Sequence, residues 1–407
     1  MNTGAATTTR RATKATLMVG SLAVLLAAAV PAKKPPAAPH PISDAVAVSG
    51  CADCETWWPI LAPGSGDEVL VAWHGLHDDT HVTFDRFGAD GVLAGNVATI
   101  GASDFIELTG VVRDGDGWVV SWRVGNQFFL RRFAADGGSS GAAGLSLGAG
   151  AGQQDRGIGI AGGEGRLLAT WNRVSSDDAV NPLLAAWFDA GGARLSEPAT
   201  FGESFGRVGS DSCVRPDGSA VVVHGLLGEP PLPLGHSPTG LVVRRIGADG
   251  APLGAAVLLT PPSPNPFGRT FDIVCLGDGS YAVAWSSSTP PAKKGSDVVW
   301  LRFDAAGKVR GKAQLLASDL AGDQTQPRLL LRSNGSLLAT WLSRDAAGDR
   351  IVGRLFNVQG KALGKDFVLR TAAADSLDFP RATAGEGSHF ALAWWENRRG
   401  MLRWFGD

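Results

Sequence analysis

One short pattern recurs seven times along this chain. An apolar strand ends in Trp, and a second strand follows that ends in Phe-x-Ala-x-Gly. The anchors are Trp73, Trp122, Trp171, Trp285, Trp341 and Trp394, with His224 in the fourth place. The answering strand ends are Phe87-Gly-Ala-Asp-Gly91, Phe133-Ala-Ala-Asp-Gly137, Phe188-Asp-Ala-Gly-Gly192, Ile246-Gly-Ala-Asp-Gly250, Phe303-Asp-Ala-Ala-Gly307, Phe356-Asn-Val-Gln-Gly360 and Phe405-Gly-Asp407. Anchors lie 49, 49, 53, 61, 56 and 53 residues apart. Self-similarity at this period belongs to propellers, solenoids and arrays. Spacing varies because loops can grow while strands keep their length.

Each repeat reads as four strands. In the sixth they are Pro327 to Arg332, Ser336 to Trp341, Arg350 to Phe356 and Lys365 to Leu369. Asn334-Gly335, Asp217-Gly218 and Asp278-Gly279 sit where hairpin turns are needed, and type I′ turns favour these dipeptides. Helical periodicity is absent beyond the N-terminal segment. The expected fold is therefore all-β: a seven-bladed β-propeller with four antiparallel strands per blade. The seventh repeat has only three strands (Arg381 to Ala384, Phe390 to Trp395, Met401 to Phe405). Ala45 to Ser49 is the expected fourth, pairing an edge that would otherwise stand open. A Trp at one register of every blade is read as packing between neighbouring sheets, and His224 as a satisfied core histidine.

Residues 1–32 read as an export signal: basic Arg10, Arg11 and Lys14, an apolar run from Ala15 to Val30, and small residues at Val30-Pro31-Ala32. The run is short for a membrane span, so no span is expected in the mature chain. Arg10-Arg11 alone does not decide the export route. Residues 33–42 read as a Pro-rich leader and 43–407 as the propeller. The whole chain carries 37 Lys and Arg against 39 Asp and Glu. Such a balance points away from nucleic acid. The protein is expected to be secreted, periplasmic or at the cell surface.

Cys51-x-x-Cys54 could close a small loop. Cys213 and Cys275 each lie six residues after an Arg, at apparently equivalent places in adjacent blades. Equivalent side chains would point the same way round the ring, so they are read as small buried residues and not as a bonded pair.

The repeat resembles one found in large exported bacterial proteins, including repeats-in-toxin-type exoproteins. The matching segments are Asp278-Gly-Ser-Tyr-Ala-Val-Ala-Trp285, Val299-Trp-Leu-Arg-Phe-Asp-Ala-Ala-Gly307 with Gly311, and Gln324-Thr-Gln-Pro327. The resemblance covers nearly all of residues 43–407 and implies an extracellular propeller-like scaffold. It transfers no catalytic residues, and the calcium-binding nonapeptides of those proteins are absent.

Loops on one face of a propeller commonly carry function. Here the long ones are Asn172 to Pro182, Gly225 to Gly240 and Ser286 to Asp297. Aligning the first strands after a Gly or Pro gives Arg207, Arg269, Arg328 and Arg381 in one column, with Arg156 fitting it and Ile60 and Glu107 in the other blades. Such a column predicts an arginine-rich ring near one channel mouth. Five charges about 10 Å apart would repel by roughly 4 kcal/mol in water. Either nearby acids (Asp104, Asp155, Glu203, Asp272, Asp323, Asp378) offset that, or an anionic ligand does, using the planar guanidinium fork. A second cluster, His74, His77, Asp78, Asp79 and His81, offers imidazole and carboxylate ligands to a divalent metal, though its spacing matches no established zinc signature. Catalytic triads, phosphate loops and dinucleotide fingerprints are absent.

The favoured reading is an exported, non-enzymatic binding propeller, with no cofactor, whose partner is an anionic glycan or a protein. Two alternatives stay open: a metal-dependent polysaccharide lyase or hydrolase using the His74 to His81 loop, and a structural surface module.

Overall fold

The structure is a computed structural model. It describes residues 37–407, apart from 50–55, 57–58, 76–77, 103–105, 140, 142, 150–152, 164, 176–179, 206–208, 227–239, 261–269, 289–291 and 293–294. The signal segment, Cys51, Cys54, His77, Arg207 and Arg269 lie outside the described residues.

Six sheets each hold four consecutive antiparallel strands, and the seventh is completed from the other end of the chain. The first strands of the seven sheets are Ile60–Pro63, Ile106–Asp114, Gln153–Gly163, Ser210–Val214, Phe271–Cys275, Asp323–Leu331 and Leu377–Ala384. Each touches the first strand of the next sheet, and the seventh touches the first. Seven first strands therefore ring a central channel, and the fold is a seven-bladed β-propeller.

The clasp forms as expected and reaches further back. His40 stands opposite Gly406, Pro41 opposite Phe405, Val46 opposite Leu402 and Ala47 opposite Met401. Backbone hydrogen bonds from Ile42 to Trp404 (3.0 Å) and from Val48 to Gly400 (2.9 Å) continue the ladder. The Ser43 hydroxyl accepts from the Trp404 amide at 3.0 Å where the strand is interrupted.

Every Trp anchor is buried, and each packs against the preceding blade. Trp122 meets Leu70 and Ala72 of blade one, Trp341 meets Ala284 and Trp300 of blade five, and Trp73 closes the ring on Trp404 and Leu402 of blade seven. Burying about 150–250 Å² per Trp contributes roughly 4–6 kcal/mol each. His224 is also buried. Its Nδ1 lies 2.9 Å from the Gly225 carbonyl and its ring 5.4 Å from that of Phe201, edge on.

The hairpin turns differ from the type I′ expectation. Only the glycine of each dipeptide takes positive φ: Gly335 at 81°, Gly218 at 77° and Gly279 at 78°. The Gly335 amide donates to the Arg332 carbonyl at 2.9 Å, and the Arg332 amide to the Ser336 carbonyl at 2.8 Å. This is a type I turn followed by a left-handed glycine bulge. The side chain before the glycine explains the choice, because Asn334 Oδ1 accepts from both the amide (3.0 Å) and the hydroxyl (2.7 Å) of Ser336. Asp217 and Asp278 bind Ser219 and Ser280 in the same way, and those serines hold both carboxyls below the ordinary range.

The closing glycine of the Phe-x-Ala-x-Gly unit has a second role. Gly360 has φ of 80°, and a Cβ there would stand 2.4 Å from Arg302 Nε of the preceding blade. Gly307 sits over Arg245 in the same manner, with 2.8 Å to Nε. In blades four to six the Arg of one repeat thus covers the glycine of the next, whereas Gly250 lies against Ser196 and Gly137 against Val97.

Cys213 and Cys275 form a disulfide between blades four and five, with Cα atoms 5.6 Å apart. This overturns the sequence reading. Strand pairing places Asp211 and Asp272 at matching registers, opposite Val223 and Ala284. Cys213 is then two residues past the match and Cys275 three. Successive side chains in a strand alternate between faces. The offset of one turns Cys213 and Cys275 towards each other.

Candidate functional site

The residue before each anchor defines one depth in the ring. Opposite Ala72, Ser121, Thr170, Val223, Ala284, Thr340 and Ala393 stand Ile60, Gly110, Gly159, Asp211, Asp272, Arg328 and Arg381. Three uncharged blades are followed by two aspartates and then two arginines. Asp211 and Arg381, at the two ends of this run, each feel the charges of the other three.

Of the expected arginine column, Arg328 and Arg381 share this register. Arg156 does not: it pairs with Asn172, three positions before Gly159, and its guanidinium donates to Gln154 Oε1 at 2.5 Å. Glu107 pairs with Arg123, three positions before Gly110, and accepts that guanidinium at 2.8 Å. The cause is a bulge in the first strand. The register shifts between Arg156 and Gly159, Thr325 and Arg328, and Asp378 and Arg381. Here Gln326 and Phe379, each before a proline, take φ of 55° and 49°, and Gly157 takes 58° in blade three. Counting along the sequence across such a bulge misplaces every residue on its far side.

Of the six acids expected to balance the arginines, Asp104 lies outside the described residues, and three are engaged elsewhere. Asp155 accepts Arg173 at 2.9 Å, Asp323 accepts the Ser296 amide at 2.9 Å, and Asp378 meets Gln326 and, at 3.7 Å, Arg344. Asp272 faces Arg328 at 3.8 Å and accepts the Leu329 amide at 2.5 Å. Asp211 belongs to the site although the sequence alignment missed it. The signal was present in the register of His224, the anchor substitute, from which the opposite strand can be counted.

Arg328 is nine-tenths buried and donates Nη1 to the Phe271 carbonyl at 3.2 Å, while its Nε has no hydrogen-bond partner. Arg381 makes no side-chain hydrogen bond or close ion pair among the described residues, and feels Asp272 and Asp211 only through space. Burial pushes it down to about 10, helped by Arg328 and opposed by the two aspartates, so it stays charged at neutral pH. Asp211 is pushed up to about 8, first by burial and then by the charge of Asp272 and the hydrogen bond to it, against the pull of Arg328 and Arg381. Both Asp211 and Arg381 keep a partial opening to the channel. With one proton between the two aspartates, the quartet carries two positive charges and one negative.

The histidine loop is placed in part. His74 lies opposite Val82, so the adjacent His81 projects from the other face of the blade. His81 is exposed, against Gly101. Asp78 and Asp79 lie in the strand Asp78–Phe87. Among the described residues, no three His, Cys, Asp or Glu side chains converge as a metal site. Between blades five and six a surface cleft is lined by Trp341, Phe367, Arg350 and Asp366. Two of its charges are engaged, Arg350 with Asp345 at 2.6 Å and Asp366 with the amides of Ser318 and Asp319 at 2.7 and 3.0 Å.

No family model matches the chain, and no curated protein matches it in sequence. Among solved structures, a protein of unknown function from Dyadobacter fermentans DSM 18053 is similar with a TM-score of 0.50 and 11% identity, covering 90% of this chain and 99% of that one. The polysaccharide lyase Uly1 is similar at TM-score 0.48 and 10% identity, over 90% of this chain and 100% of that one. The fucose-specific lectin from Aleuria aurantia is similar at 0.48 and 11%, over 79% and 97%. At such identities the likeness concerns the fold alone.

Proposed function

We propose that this protein is an exported, non-enzymatic propeller that binds an anionic glycan at its central channel. The observation that carries the reading is Arg381. It is a charged guanidinium held at the register of Arg328, without a side-chain hydrogen-bond partner among the described residues, in a quartet with one positive charge in excess. Arginine's planar fork suits a carboxylate or sulfate group better than a point charge would. Export is supported by the basic and apolar N-terminal segment and by the Cys213–Cys275 disulfide, because disulfides persist in oxidising compartments.

The test is a binding screen of the purified protein against neutral, carboxylated and sulfated glycans, at low salt and at about 0.15 M salt. Selective binding of anionic glycans that survives the higher salt, and is lost in Arg381→Ala, supports the reading. Binding unaffected by Arg381→Ala, or silence toward every glycan, overturns it and directs attention to a protein partner.

A further inference from the structure

We infer that the channel quartet takes up a single carboxylate group together with one proton, the proton being held between Asp211 and Asp272. The inference rests on the proposed anion-binding role of the channel and adds its ligand class and its regulation.

The argument starts from register. Strand pairing brings Asp211, Asp272, Arg328 and Arg381 to one depth on four consecutive blades, and the three remaining blades present Ile60, Gly110 and Gly159 there. The charges therefore occupy one side of the channel and meet no counter-charge at that depth from the other. Two carboxyls joined by a hydrogen bond cannot both be ionised, since one must donate. The pair holds one negative charge while the proton is present and two once it leaves. Two arginines face it throughout. The protonated quartet has a net charge of plus one and the deprotonated quartet a net charge of zero.

Hydrogen-bonding capacity follows the same count. Asp272 is occupied by the Leu329 amide, Arg328 and Asp211. Asp211 Oδ1 accepts the Ser212 amide at 2.8 Å. On the cationic side Arg328 Nε is unpartnered but closed off from solvent, and the Arg381 fork, partly open to solvent, makes no side-chain hydrogen bond among the described residues. An acceptor with two coplanar oxygens and one negative charge matches that remainder, and a carboxylate has both. A dianion would overshoot the single excess charge.

Linkage then sets the pH dependence. Loss of the proton from Asp211 removes the excess positive charge, so a bound carboxylate must raise the proton affinity of the pair by the factor that protonation raises its own affinity. The groups facing Asp211 are Asp272, Arg328 and Arg381. His224, on the strand paired with that of Asp211, has its own value lowered to about 4 by burial and stays neutral across the range concerned.

The experiment is titration calorimetry of the purified full-length mature protein with glucuronate, with glucose and sulfate as controls, from pH 6 to pH 9.5 in pairs of buffers that differ in ionisation enthalpy. Glucuronate is ionised throughout, so any change belongs to the protein. Expected are constant affinity up to about pH 8, a fall approaching tenfold per pH unit above it, and net uptake approaching one proton per glucuronate at the alkaline end. Asp211→Asn, which keeps a donor in the place of the protonated acid, is expected to bind with a flat pH profile and no proton uptake. Glucuronate binding by the wild-type protein that is flat to pH 9.5 without proton uptake overturns this inference and leaves the anion-binding reading standing. Failure of glucuronate and sulfate to bind at any pH overturns both. The wild-type series decides the matter even where Asp211→Asn does not fold.

Discussion

Replacing Cys213 and Cys275 together by Ser should lower the stability of the ring by about 4 kcal/mol. The magnitude comes from chain entropy. The bond joins residues 62 apart in sequence. Cross-linking a loop of that length removes roughly 14 cal/mol/K from the unfolded ensemble, or about 4 kcal/mol at 25 °C. The native side changes little, because both positions are only half-buried on first strands and a Ser hydroxyl there can reach water. Unfolding entropy near 2.1 cal/mol/K per residue gives about 0.8 kcal/mol/K for the ring, so the melting temperature should fall by about 5 °C. Guanidinium unfolding of the wild-type and double-Ser proteins, followed by Trp fluorescence, measures this directly. The variant should also show a larger m-value, because its unfolded chain is freer to expand. Unchanged midpoint and slope would refute the reasoning, as would two reactive thiols at these positions in the unreduced native protein.

Three further outcomes follow from the geometry. Deleting residues 37–49 removes the clasp, the backbone bonds of Ile42 and Val48 and the burial of Val48; at about 1 kcal/mol per hydrogen bond and up to about 2 for the valine, a loss of roughly 5 kcal/mol is expected in urea unfolding. Gly360→Ala should cost at least about 1–2 kcal/mol by calorimetry, since it forces an L-residue to positive φ against Arg302, whereas Gly364→Ala, with open space around it, should change stability by less than about 0.5 kcal/mol. His224 is neutral when folded, with its value lowered to about 4, and takes a proton near 6.5 when unfolded. The unfolded chain therefore binds more protons between those limits, and stability should fall as pH drops from about 6.5 to about 4, by about 3 kcal/mol in total. His224→Gln should remove that slope from a pH series of urea midpoints, and an unchanged slope would assign it to other groups.

Local chemistry written into the repeat was enough to read the architecture. The Trp anchors need a neighbouring sheet to bury them, the Gly of Phe-x-Ala-x-Gly needs a turn, and a three-stranded last repeat needs an edge partner. Each requirement is met within a blade or by its immediate neighbour, so periodicity carries it. Blade four shows the limit: with His224 in place of Trp, its repeat is weaker, and Asp211 went unnoticed beside it.

Register across the ring was not legible in the same way. The bulges before Gly159, Arg328 and Arg381 add residues that a sequence alignment counts and the strand pairing does not: Arg156 leaves the apparent column, while Arg328 and Arg381 share one depth with Asp211 and Asp272. A separate offset of one residue between blades four and five made two apparently equivalent cysteines partners. The sequence by itself determined the all-β repeat, the number of blades and the turn residues, because those depend on side chains near one another along the chain. Only the tertiary structure decided which side chains meet at the channel, because strands alternate their faces with every residue and a slip of one reverses what each presents to the next blade.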